Sequence, residues 1–204
     1  DLLFRHGVPT AWLTPGGTRC RGRLARTDAT TTLTRVRQHR VFARPDARLE
    51  WAKMVVVGKI ESMVAAARHF QRHGSAHAGP LMARLGASAA GVPSVAAHAQ
   101  LLGVEGAASA AWFEFFATLV QSPWSFPGRT RRPPTDPLNA LLSLGYTWLL
   151  TRATARAEAR GYEIYLGGLH EYRAGRPSLS CDLIEPLRVP AVDRWAVSAC
   201  GRLE

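Results

Sequence analysis

From Pro45 the chain reads "PDARLEWAKMVVVGKIESMVAAARHFQRHG", and after that first proline nothing stops a helix before Gly74. Apolar residues recur with helical spacing throughout the stretch, which predicts one long helix. Such a helix must bury its apolar face against other helices, and the chain supplies them. "TLTRVRQHRVFA" reads as a short helix set off by Pro45. Downstream, "GPLMARLGASAAG", "SVAAHAQLLG" and the very apolar "VEGAASAAWFEFFATLVQ" are each helical, as is "LNALLSLGYTWLLTRATARAEARG", with a possible break near Gly145. "SLSCDLIEPLR" and "AVDRWAVSAC" complete the set.

Residues 1–28 have a different character. "DLLFRHG" reads as a helix end stopped by Gly7, and "TPGG" between "VPTAWL" and "TRCRGRLA" is a hairpin signal. The expected fold class is therefore mainly α, preceded by the tail of a small N-terminal β (or α/β) domain. Residues 1–28 are the C-terminal remnant of that domain, and 29–204 an α-helical domain incomplete at its C-terminal end. The chain opens without Met and reads as a piece of a longer polypeptide, for which a fusion protein is one option.

Hydrophobic residues make up 47% of the 204, enough for a real core. The formal charge is +11 and the pI about 10.9, which points to a polyanionic partner, most simply nucleic acid. Only Lys53 and Lys59 are lysines, and every other cation is arginine. Cys20, Cys181 and Cys200 make no CxxC pair, which argues against a zinc ribbon or a disulfide framework and fits a cytoplasmic protein. No apolar run approaches the ~20 residues of a membrane span.

Two arginine groups are candidates for phosphate contact. Arg129, Arg131 and Arg132 lie in the Pro/Arg loop "SPWSFPGRTRRPPTDP". Arg152, Arg156 and Arg160 repeat at i, i+4, i+8 and form one helical stripe. The ordinary alternatives are a solvated loop and a helix face balanced by Glu158 and Glu163.

The acids pose a sharper question. Asp182 and Glu185 fall three residues apart on one face of an otherwise apolar helix. Glu105 sits in another apolar helix among Gly103, Gly106 and alanines, where it is expensive to bury unless paired, protonated or bound to a cation. His170 follows the flexible "LGG". Glu105, His170 and Glu185, with Asp182 nearby, would make a hard O/N site suited to Mg2+ or Mn2+. Each has a plainer reading too: an ion pair for Glu105, a capping or core histidine, and a capping or solvated acidic face. Pro186 lacks an N–H and is expected to kink the helix beside Glu185.

Taken together in this order, four stretches resemble the CRISPR-associated spacer integrase, the catalytic subunit of the CRISPR adaptation complex. They are "LLGVEGAASAAWF", "RRPPTDPLNALLSLGY", "YLGGLH" and "SLSCDLIEPLRVPAVDR". With weaker matches elsewhere, the resemblance covers nearly the whole chain. It implies an N-terminal β domain joined to an α-helical catalytic domain. It places metal ligands at Glu105, His170 and Glu185, with Asp182 as a supporting catalytic acid and Asn139 and Ser143 lining the site. It implies homodimers bridged by a small dimeric CRISPR-associated partner subunit, acting on double-stranded DNA with 3′-hydroxyl ends and on a repeat array.

The activity implied is that of a metal-dependent DNA integrase and endonuclease, in which a 3′-hydroxyl attacks a backbone phosphate. Two rivals stand beside it. One is a non-catalytic, basic helical module that only binds nucleic acid within a larger complex. The other is a metal-dependent nuclease that joins nothing.

Overall fold

The computed structural model describes residues 2–6, 8, 10–15, 20–24, 32–120, 123–131 and 133–200. They fold as two compact units that do not follow chain order. The described residues within 1–51 and 146–184 make up one, those within 52–145 and 185–204 the other.

The first unit holds a short helix, α1 (Leu2–Arg5), and the hairpin β1 (Thr10–Leu13) and β2 (Cys20–Leu24). The strands pair antiparallel, Thr10 opposite Leu24, with an irregularity between Trp12 and Leu13. The expected hairpin is therefore present, while Gly7 and the glycines of "TPGG" lie outside the described residues. Arg23 of β2 donates two bonds to the Glu158 carboxylate, at 2.9 and 2.7 Å. The helix α2 (Thr32–Phe42) buries a single side chain, Gln38. Its amide donates to the carbonyls of Glu163 and Leu166 and accepts from the Glu163 N–H, which latches α2 onto that loop.

The second unit is built on α3 (Pro45–Arg72), the long helix expected from the sequence; its first turns belong to the first unit. Ala52, Val55, Val56, Lys59, Ile60, Met63, Ala66 and Ala67 are its buried residues, an i, i+3, i+4 stripe. Gly74 ends the run with φ +93°, a conformation that favours glycine. Two helices follow, α4 (Ala78–Gly91) and α5 (His98–Thr118), and pack on one another. Trp112, Phe115 and Phe116 of α5 fill the core with Phe126, and Trp112 Nε1 donates to Asp193 Oδ2 at 2.7 Å.

Two sequence expectations are corrected. The stretches around Gly103 form one continuous helix, α5: a glycine inside a helix costs only about 1 kcal/mol relative to alanine and does not by itself break it. The helix α6 (Pro137–Ala159) also runs unbroken through Gly145. There the missing side chain makes room: a Cβ would lie 2.5 Å from Val192 Cγ1. The last helices are α7 (Ser178–Ile184) and α8 (Arg194–Cys200). Between them the chain tightens to a 3-10 turn at Glu185–Leu187 and widens to a π turn at Val189–Asp193. This is the kink expected from Pro186.

The architecture is thus mainly α with one two-stranded antiparallel sheet among the described residues.

Candidate functional site

Within the second unit, two of the expected acids meet. Glu105 sits in the middle of α5 and Glu185 opens the 3-10 turn. The ammonium of Lys59, from the buried stripe of α3, bonds both: Nζ is 2.6 Å from Glu185 Oε2 and also donates to Glu105 Oε1. Ser109, one turn along α5, donates to the same Glu105 oxygen at 2.9 Å. Arg188, three residues after Glu185, bonds both Glu185 oxygens at 3.0 and 3.2 Å. The Lys59 and Glu185 side chains are 5% and 6% exposed, and Glu105 is 23% exposed. Two carboxylates and two cations leave the cluster formally neutral.

Within the first unit, Asp182 is fully buried and accepts bonds from four residues. The backbone N–H groups of Gly168 and Leu169 reach Oδ2 at 2.7 and 3.1 Å, and that of His170 reaches Oδ1 at 2.9 Å. Trp51 Nε1 donates to Oδ2, and His170 Nδ1 stands 2.8 Å from Oδ1. The preceding glycines permit this close wrapping. A Cβ at Gly167 would stand 2.7 Å from the Ser178 carbonyl carbon, and one at Gly168 would overlap the Trp51 ring. With Nδ1 engaged by the carboxylate, Nε2 is the nitrogen left to act as ligand or base. Asp182 and Glu185, three residues apart, thus take entirely different partners.

Asn139 and Ser143 organise the Pro/Arg loop. Asn139 is fully buried; its side chain bonds Gly128, Arg129, Thr130 and Asp136. Ser143 accepts from Arg129 Nη2 at 3.0 Å. Arg129 therefore turns inward onto these two residues, whereas Arg131 is exposed; Arg132 lies outside the described residues. On α6, Arg152 and Arg156 are exposed, and the Arg152 guanidinium stands 5.0 Å from the Trp148 ring centroid. Glu158, a possible counter-charge for this stripe, is taken by Arg23.

Among the described residues no three His, Cys, Asp or Glu side chains form a ready metal site. What the second unit does contain is two carboxylates converging on one cation, the ammonium of Lys59. That donor set suits Mg2+ or Mn2+.

The family model of CRISPR associated protein Cas1 matches residues 1–204. The chain belongs to the Cas1 family. It is 35% identical over 200 residues to the CRISPR-associated endonuclease Cas1 3 of Thermus thermophilus, a match spanning 96% of this chain and 58% of that protein. It is thus similar to little more than half of that relative. A casposase solved bound to an integration product shares the fold, with TM-score 0.82 at 23% identity over 98% of this chain and 55% of that one. A partial Cas6-RT-Cas1–Cas2 complex contains a chain with TM-score 0.72 and 25% identity, over 98% of this chain and 60% of that one.

Sequence reading missed Lys59 and Arg188 in this Cas1 family chain. Lys59 had a legible signal. It sits on the same helical stripe as Val56, Ile60 and Met63, and a lysine facing a core is almost always paired. Arg188 had only its i+3 spacing from Glu185.

Proposed function

We propose that this chain is the catalytic part of a divalent-metal-dependent DNA strand transferase that inserts short DNA fragments into a CRISPR array. In the reaction a DNA 3′-hydroxyl attacks a backbone phosphorus. The new P–O bond forms as the old P–O3′ bond breaks, and the hydroxyl proton passes to the departing 3′-oxygen. Water in place of the hydroxyl gives endonuclease cleavage. What carries the reading is the convergence of Glu105 and Glu185 on one cation in a member of the Cas1 family.

Glu105 and Glu185 are the residues that would hold Mg2+ or Mn2+. When bound, that ion supplies charge neutralisation at the phosphoryl oxygens and orientation of nucleophile and leaving group. Ser109 and Arg188 fix the rotamers of the two carboxylates. In this reading His170, in the first unit, acts as nitrogen ligand or base through Nε2, its ring oriented through Nδ1 by Asp182. Exposed arginines, Arg131, Arg152 and Arg156, supply sequence-independent phosphate contacts. The relative called an endonuclease supports cleavage, and the neighbour solved in a complex with Cas2 supports a Cas2-type partner for the whole protein; homodimers bridged by that partner are part of the same reading.

The ion-paired state of Lys59 favours a second reading, a non-catalytic nucleic-acid-binding module whose acids are structural. One experiment separates the two. Strand joining of a labelled 3′-hydroxyl duplex into a supercoiled target is measured in Mn2+ for the parent and for Glu105→Ala, with thermal unfolding followed alongside. Loss of joining and cleavage with intact fold and near-parent DNA affinity supports catalysis. Joining at the parent rate by a folded Glu105→Ala rejects it.

A further inference from the structure

The ammonium of Lys59 lies between Glu105 and Glu185 and bonds both carboxylates. We infer that Lys59 is the resident counter-cation of this carboxylate pair, and that a divalent ion binds there only by displacing it. The inference rests on the metal-site reading above.

Space and charge both enforce the exclusion. An ammonium nitrogen bonds carboxylate oxygens at about 2.7–2.9 Å and Mg2+ at about 2.0–2.1 Å, so the two cations compete for one point between the same oxygens. Lys59 Nζ lies 2.6 Å from Glu185 Oε2 and bonds Glu105 Oε1 as well. With Arg188 on Glu185, the cluster is already neutral, and adding a divalent ion without moving Lys59 would crowd four positive charges around two carboxylates. The backbone of α3 lies close against the segment that carries Glu185. A Cβ on neighbouring Gly58 would stand 3.3 Å from Pro186 Cγ, so α3 is seated against the residue that follows Glu185. The flexible four-carbon stem of lysine is what can move. Displacement keeps the carboxylates together before the ion arrives and weakens apparent ion affinity, as any pre-equilibrium does.

The test uses Mn2+ alone, titrated into the intact protein and into Lys59→Met, Lys59→Gln and Glu105→Ala. Lys59→Met and Lys59→Gln are expected to bind Mn2+ at least tenfold more tightly than the parent. Equal or weaker binding by both overturns the inference and makes Lys59 a positioning or bystander residue. Should both variants lose their fold in metal-free buffer, recovery of the folded signal on adding Mn2+ supports displacement, and no recovery overturns it. A second readout needs no variant. Lys53 and Lys59 are the only lysines in this chain, so Lys53 serves as reference for amine labelling read by mass spectrometry. Lys59, 4% exposed, should be protected without Mn2+ and gain reactivity with it; unchanged protection at saturating Mn2+ overturns the proposal. Failure of the underlying reading looks different: Glu105→Ala would bind Mn2+ as the parent does.

Discussion

Nδ1 of His170 stands 2.8 Å from Oδ1 of Asp182, a carboxylate with no solvent exposure that also receives three consecutive backbone N–H groups. Asp182 therefore folds the Gly168–His170 turn as well as orienting the imidazole. Asp182→Ala should lower stability by on the order of 3–5 kcal/mol, because several buried donors lose their acceptor together. Urea unfolding measures the loss, and amide exchange at residues 168–170 should quicken most. A change below about 1 kcal/mol would mean that water takes over the turn.

Gly145 and Val192 form a tight helix-to-turn contact within the second unit. Gly145→Ala brings a methyl to 2.5 Å from Val192 Cγ1. Overpacking of this kind costs about 1–3 kcal/mol, while a mid-helix Gly→Ala change contributes about 1 in the other direction. Net destabilisation is expected, since a β-branched valine has few alternative rotamers with which to clear the methyl. Val192→Ala should relieve it. A double-mutant cycle with coupling under about 0.5 kcal/mol would show that the clash is absorbed elsewhere.

Much of the fold was legible because its signals are local. The long α3, the hairpin and the stop at Gly74 follow from periodicity, "TPGG" and a residue that tolerates positive φ. The continuous α5 and α6 were harder, since the meaning of Gly145 depends on Val192, 47 positions further along the sequence. The acids were picked out by their apolar surroundings, but what each one bonds was not. Asp182 and Glu185 look equivalent at i and i+3, yet Pro186 ends the α-helical geometry between them and sends them to different partners. Lys59 carried a signal in its place on the stripe of Val56, Ile60 and Met63, but the acids it bonds lie 46 and 126 positions further along the chain.

Asp46, in the first turn of α3, is held below the usual carboxylate range by its hydrogen bond to Arg44, at 2.6 Å, and next by the Ala47 backbone N–H. A depressed folded value stabilises the folded state above the unfolded value of about 3.9, and that contribution fades as pH falls through the folded one. The pair is fully exposed, so the effect is best read at the group itself. Its carboxyl carbon should titrate below about 3.9 by NMR, and Arg44→Ala should move the midpoint up. No movement would leave the helix N-terminus as the cause.

The arginines separate into two kinds that the sequence does not distinguish. Arg129 spends its guanidinium on Asn139 and Ser143, whereas Arg131, Arg152 and Arg156 face solvent. Each phosphate neutralised contributes about 0.9 to the slope of log affinity against log salt on duplex DNA. Arg152→Gln with Arg156→Gln should therefore flatten that slope by up to about two units and weaken binding to all sequences alike. Thermal stability should stay nearly constant, since the stripe has lost its candidate counter-charge Glu158 to Arg23. Arg129→Gln should do the reverse. It should lower the melting temperature, because Asn139 and Ser143 lose a buried partner, and change the salt slope by well under one unit. Filter binding of a random duplex across 50–300 mM salt, beside thermal unfolding, reads both quantities for all three proteins. If Arg129→Gln flattens the slope as much as the helix pair does while its melting temperature holds, the loop arginine reaches DNA and its inward bonds are only its resting state.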